Sequence, residues 1–281
     1  MRRVERGASL LSYGLVVGLI AVVALAAVTS SGSSVDRLFT DVSDTMGEVS
    51  GDGDAEQGEA QAQPSASQAI PSSFASCQAV LNFDPSAVTG SYTIDPDGPG
   101  AGIDAFLGYC DMDTDGGGWM LMALNDQTTT FTNFNKTWAE YKAGFGSIGS
   151  GGLGWIGNDR LHAMTSGGVD LQVRYTGPVG VNDYTNFSVG DEASNYVLSV
   201  SDTPTSNDGG LFASYHSGRA FSTFDDDNDL WSSNCASVFQ TGWWFHSCYY
   251  MTIAGNDGGQ TYWRGTGGSQ QFVTTLTMWI R

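Results

Sequence analysis

Phe221-Ser222-Thr223-Phe224-Asp225-Asp226-Asp227-Asn228-Asp229 is followed closely by Asn234-Cys235-Ala236, Gly242-Trp243-Trp244 and Cys248. Asp225, Asp226, Asp227 and Asp229 crowd into five positions, and like charges at that spacing repel unless a cation neutralises them. Carboxylate and carbonyl oxygens suit calcium. The loop is not an EF-hand. Counted from Asp225, the sixth residue is Leu230 instead of Gly and the twelfth is Ala236 instead of Glu.

Outward from this stretch the composition is that of a loop-rich globular protein. The chain has 281 residues, 15% charged and 12% aromatic, with 38 Gly. Its formal net charge is −19 with only 11 Lys+Arg. Nucleic acid is therefore a poor partner, because too few basic residues exist to displace its counterions. The four cysteines are Cys77, Cys110, Cys235 and Cys248. None has the close CxxC spacing of a zinc site. An even count in an exported chain favours two disulfides, and sequence leaves three pairings open, of which sequential pairing is the simplest.

From Cys77 onward, short strand-like runs such as Leu171–Tyr175 and Tyr196–Val200 alternate with Gly, Asn and Asp turn signals. Thr137 to Phe145 reads as a short helix. The pattern predicts an α+β domain with an antiparallel sheet and long loops. Gly116, Gly117 and Gly118 permit a tight turn with positive φ before a core Trp119. Trp155, Trp243 and Trp244 read as core.

Ordered motifs across this region resemble the fibrinogen C-terminal domain. They run from Gly90–Pro96 and Tyr109-Cys110-Asp111-Met112 through Asp115-Gly116-Gly117-Gly118-Trp119 and Trp155-Ile156-Gly157-Asn158-Asp159. The acidic stretch quoted first, Trp263-Arg264-Gly265 and Met278-Trp279-Ile280-Arg281 complete them. The resemblance implies Cys77–Cys110 and Cys235–Cys248 disulfides. It implies Asp227 and Asp229 as side-chain calcium ligands, with Trp231 and Ser233 supplying carbonyls. Asp225 and Asp226 then support the loop or face solvent.

In fibrinogen-like lectins an aromatic pocket beside the calcium loop holds an acetyl group. Carried over, its positions are Phe239, Ser247, Tyr249, Tyr262 and Trp263. Phe239 lacks the hydroxyl some lectins supply, and Tyr249 stands where His is common. The resemblance also implies a cis peptide at Ser247–Cys248. The partner implied is an acetylated glycan or a surface protein.

At the other end, Arg2, Arg3 and Arg6 precede an uncharged run from Ala8 to Val28. As a helix this run is roughly 30 Å long, enough to cross a bilayer with the basic flank inside. Gly14 and Gly18 give one face a GxxxG pair. Val35, Leu38, Phe39, Val42, Met46 and Val49 continue at helical spacing. Arg6–Leu15 resembles the start of Flp-type (type IVb) pilins. That resemblance implies cleavage between Gly7 and Ala8, an inner-membrane anchor before pilus assembly, and contacts with other pilin subunits. Ser12 replaces the family's usual Glu, which favours a minor or tip subunit. Ala24-Leu25-Ala26 offers signal-peptide cleavage as an alternative, and an uncleaved anchor is a third. The expected division is a leader over 1–7, a pilin-like helix over 8–50, a flexible acidic spacer over 51–75 and the fibrinogen-like domain over 76–281.

His162, His216 and His246 are the only histidines, and no GxSxG, HExxH or P-loop occurs. The expectation is a surface-displayed, calcium-dependent recognition protein and not an enzyme. A filament subunit without an outside ligand and a membrane-anchored receptor are the competing readings.

Overall fold

Alternation of buried and exposed side chains shapes the strands, and the order in which they pair shapes the domain. The strands are β1 (Gly90–Ile94), β2 (Phe106–Asp111), β3 (Trp119–Asp126), the short pair β4 (Phe145–Gly146) and β5 (Gly154–Trp155), β6 (Val169–Thr176), β7 (Gly180–Val189) and β8 (Leu198–Asp202). They are followed by β9 (Thr261–Arg264), β10 (Gln270–Val273) and β11 (Thr275–Ile280). This computed structural model describes residues 70–281 apart from 130–132, 178–179, 207, 255–260 and 265–269. Contacts divide the chain into units over 1–67 and 68–281. The expected leader with its Gly7–Ala8 junction, the pilin-like helix and the spacer as far as residue 69 lie outside the described residues. Among the described residues no helix is long and apolar enough to cross a membrane.

The main sheet has the order β1-β2-β3-β11-β6-β7-β8, and every pairing is antiparallel. The α+β expectation holds for this domain. β11 lies between β3 and β6, with Met278 opposite Ala123 on one side and Val173 on the other. β5 joins the sheet through Ala123 and Trp155, while β9 and β10 form a separate hairpin. Leu171, Val173 and Tyr175 of β6 are buried while Asp170 and Thr176 are exposed. Gln172 breaks the alternation. It is buried, and its amide donates to Asp115 at 3.0 Å and Asp183 at 2.8 Å.

Among the described residues five α-helices cover the sheet and its loops: α1 (Cys77–Phe83), α2 (Trp138–Ala143), α3 (Asn158–Thr165), α4 (Leu211–His216) and α5 (Cys235–Phe239). Helix α2 falls where the sequence predicts it. Its start is a capping box: Glu140 N donates to Thr137 Oγ1 at 3.2 Å, and Thr137 N donates to Glu140 Oε2 at 2.9 Å. Thr137→Ala is expected to lower stability by about 1 kcal/mol, read from the urea midpoint at constant slope. An unchanged midpoint would show that Glu140 alone suffices.

The core is aromatic. Tyr141, Trp155, Phe221, Trp243 and Trp244 are all 0% exposed. Their contacting rings lie 5.0 to 6.4 Å apart, in edge-on and tilted arrangements. Gly116, Gly117 and Gly118 take φ of 85°, 74° and 77°. A Cβ on Gly117 would meet the Met112 carbonyl oxygen at 2.3 Å, so glycine is required there.

Two boundaries differ from the sequence reading. Phe74, expected in the spacer, forms a parallel bridge with Ile94, donating to Thr93 O at 3.0 Å and accepting from Asp95 N at 2.8 Å. The strand expected from Tyr196 begins at Leu198, because Asn195 and Tyr196 both take left-handed φ, 55° and 50°. Tyr196 is buried all the same, with its hydroxyl donating to Asp159.

Candidate recognition site around the acidic loop

The acidic loop is held to the aromatic core at its base. Ser222 and Trp243 exchange backbone hydrogen bonds of 2.9 and 3.1 Å. From there Asn228 acts as an internal strut. Its side-chain amide donates to Phe221 O and Asp226 Oδ1, both at 3.0 Å, and its oxygen accepts from Asn195 at 2.9 Å. Asp225 accepts from Trp138 N at 2.9 Å and from the Thr223 hydroxyl at 2.7 Å. Asp225 and Asp226 are thus engaged in fixing the loop and the start of α2.

Asp227 and Asp229 are arranged differently. Asp229 is half-buried, and its two oxygens accept from Trp231 N and Cys235 N, each at 2.8 Å. These bonds fix its orientation. Burial pushes its pKa up, and the neighbouring Asp227 pushes it further through charge and a shared hydrogen bond. Two carboxylates held this close favour a cation between them. Among the described residues the carbonyls of Trp231 and Ser233 accept no hydrogen bond, so both remain able to ligate. No three His, Cys, Asp or Glu side chains converge among the described residues. A hard cation here would complete its shell with carbonyls and water.

The next segment is tied to this loop. Asn234 caps α5 by accepting from Ser237 N at 2.8 Å, and its amide donates to Thr223 O at 3.0 Å. The disulfides are Cys77–Cys110 and Cys235–Cys248, as the resemblance implied. Leu230 N donates to His246 O at 2.9 Å. The disulfide closes the Cys235–Cys248 loop on itself, and backbone hydrogen bonds tie that loop to the acidic one. The implied cis peptide is absent: among the described residues no peptide bond is cis. The turn is made instead by Cys248 itself, with φ of 70° and its carbonyl accepting from His246 N at 3.0 Å.

Of the expected ligand residues, Phe239 and Tyr249 meet edge-on with centroids 4.8 Å apart, both half-buried, and Phe245 lies 6.2 Å from Tyr249. Ser247 is exposed on the same disulfide loop. Tyr262 and Trp263 lie in β9, opposite Phe272 and Gln271 of β10. The structure thus unites Phe239, Ser247 and Tyr249 on one segment and places the other two on the separate hairpin.

Sequence reasoning missed Tyr215. Its ring lies 4.8 Å from His246 and 4.2 Å from Tyr250, and its hydroxyl donates to Ser247 O at 3.3 Å. It extends the aromatic surface beside Ser247. No local signal marked it, because its partners lie some thirty residues along the chain.

A family model described as the C-terminal globular domain of fibrinogen beta and gamma chains matches residues 75–280. The chain belongs to the fibrinogen C-terminal domain family. The family is typical of extracellular recognition proteins and is generally non-enzymatic. The mouse fibrinogen alpha chain is 39% identical over 193 residues, covering 64% of this chain and 24% of its own length. Fibrinogen-like protein A of Apostichopus parvimensis is 36% identical over 174 residues, 59% of this chain and 58% of that one. This fibrinogen-like chain therefore spans about a quarter of the mouse relative.

Among solved structures, the fibrinogen-like globe domain of human ANGPTL2 matches at TM-score 0.63 and 24% identity, covering 74% of this chain and 98% of that one. A lamprey fibrin D-dimer matches at TM-score 0.65 and 20% identity, over 96% of this chain and 92% of that one. It is complexed with the peptide ligand Gly-His-Arg-Pro-amide. At these identities the structural likeness speaks for the fold alone.

Proposed function

We propose that the fibrinogen-like domain is a calcium-dependent recognition module displayed outside the cell, with its ligand seated beside the Cys235–Cys248 loop. The observation that carries this reading is the position of Asp229. One of its oxygens accepts from Cys235 N, at the root of that loop, while its carboxyl sits against Asp227. A calcium ion held by Asp227, Asp229 and the carbonyls of Trp231 and Ser233 would neutralise the two carboxylates. It would thereby stiffen the backbone that presents Phe239, Ser247 and Tyr249. Cation and ligand would then bind cooperatively.

The favoured ligand is an acetylated glycan, its acetyl group against the Phe239–Tyr249 ring pair. A peptide is the second reading, supported by the peptide bound to the lamprey fibrin relative. The Flp-type pilin resemblance of residues 6–46 supports display on a pilus or at the inner membrane. Sequencing of the mature N-terminus tests that part, with Ala8 as the expected first residue and Met1 or Ala27 as results against it.

Two measurements test the module. Calcium at about a hundred times its dissociation constant should stabilise the protein by about 2.7 kcal/mol. The Asp227→Ala, Asp229→Ala double variant should lose that increment, read as a calcium-dependent melting shift. A glycan array and a peptide panel, each run with calcium and with EDTA, then identify the ligand class. Binding that ignores EDTA would sink the coupling, and silence on both panels under calcium would favour a purely structural subunit.

A further inference from the structure

A cleft of about 380 Å³ shares no residue with the acidic loop. Its apolar walls include Phe106, Leu107, Phe145, Ile148 and Trp155, and Arg160 is its one charged lining residue among the described residues. The Arg160 guanidinium lies 4.7 Å from the Phe106 ring centroid, and Nη1 donates to Ile156 O at 2.9 Å. These contacts fix the side chain from two directions.

Among the described residues Arg160 has no acidic partner. The ion pairs there use Lys136, Lys142 and Arg174. Its neighbour Asp159 is engaged elsewhere, accepting from the Tyr196 hydroxyl and lying 3.7 Å from Lys142. The chain carries 30 Asp+Glu against 11 Lys+Arg, so carboxylates are plentiful. Like Arg219 and Arg281, Arg160 is a half-buried guanidinium that no described carboxylate reaches within ion-pair distance. Burial alone acts on it, and it lowers the pKa. A guanidinium has five N–H donors in a planar fork. One bond to Ile156 leaves most of that fork for a molecule in the cleft.

We propose that this cleft binds a small organic anion, a carboxylate or sulfate on an apolar body, with Arg160 gripping the anionic head. A planar fork pairs with both anions through parallel hydrogen bonds, and partial burial strengthens them. Phe106, Phe145 and Ile148 take the apolar body, and Leu107, 59% exposed, forms an apolar lip. The site needs no cation, so it works independently of the acidic loop.

The test is calorimetric titration of the full chain, in EDTA, with phenylacetate, phenyl sulfate and the neutral phenylacetamide. The anions should bind at least about tenfold more tightly than the amide, and the tighter of the two names the natural head group. Arg160→Gln should weaken anion binding by about tenfold or more, and Arg160→Lys by less, since charge survives without the fork. Equal affinity for anions and amide, or wild-type affinity in Arg160→Gln, overturns the proposal. Should Arg160→Gln fail to fold, wild-type crystals soaked in 4-bromophenylacetate decide. An anomalous bromine peak between Leu107 and Phe145 supports the site, and bromine elsewhere or nowhere overturns it.

Discussion

A variant carrying Cys77→Ser and Cys110→Ser is expected to lose about 4 kcal/mol of stability and to melt roughly 10 °C lower. The two cysteines are 33 residues apart, and both are 0% exposed. Their bond fastens α1 to β2 and closes a loop long enough for its loss to enlarge the unfolded ensemble substantially. Buried Val80 on α1 packs in the same core as Ile94, so the variant also loosens the edge of the sheet. Calorimetry of the variant checks this, beside wild type with and without reductant. Equal melting temperatures would mean that the packing of α1 holds this edge without the cystine. The Cys235–Cys248 bond closes a shorter loop, separation 13, and its removal should cost about 3 kcal/mol.

The protein should also be acid-sensitive because of His216. Its ring is 0% exposed. Nδ1 lies 2.8 Å from Trp244 O, and Nε2 lies 3.4 Å from both Tyr250 N and Met251 N. A neutral ring with the proton on Nδ1 satisfies all of these contacts, whereas a second proton would face two N–H donors. Burial first, and then the charges of His246 and Arg219, push its pKa down to about 4, while Trp244 O and Asp208 pull the other way.

The unfolded ring titrates near 6.5. Between these values the unfolded state holds the extra proton, so stability is complete above about pH 6.5 and declines as pH falls towards 4. The whole loss is roughly 3 kcal/mol. Because His216 holds the backbone just after Cys248, the ligand binding proposed beside that disulfide should weaken over the same range. Urea unfolding at pH 8, 6 and 5 measures the slope, and His216→Gln should flatten it. A wild-type slope in that variant would shift the responsibility to another group. Asp111 lies below this window. Burial raises its pKa, but hydrogen bonds from Thr114, Arg174 and Asp113 outweigh that and hold it at about 2.

What the sequence made legible was whatever depends on near neighbours or on ordered motifs. The cluster Asp225–Asp229, the glycines before Trp119 and the short helix from Thr137 all act within a few residues. The fold and the disulfide pairing came from motifs read in order. The unreadable parts depend on distant partners. Tyr215 acquires its place beside Ser247 only when α4 packs against the disulfide loop. Arg160 is one arginine among 11 Lys+Arg until the fold leaves it facing a cleft without a carboxylate. The turn at Cys248 was misread for a related reason. A left-handed φ in a non-glycine residue leaves no mark on the sequence, and here it serves where a cis bond was expected.

The position of β11 sets a timetable for the polypeptide's making. Residues 275–280 join β3 to β6, yet they leave the ribosome after every other strand of the sheet. Until they emerge, the early ribbon β1-β2-β3 and the later meander β6-β7-β8 have no common seam and cannot complete each other. Pairings between residues so far apart form slowly. The nascent chain should therefore stay uncondensed until residues 275–280 emerge, a state that export machinery can thread.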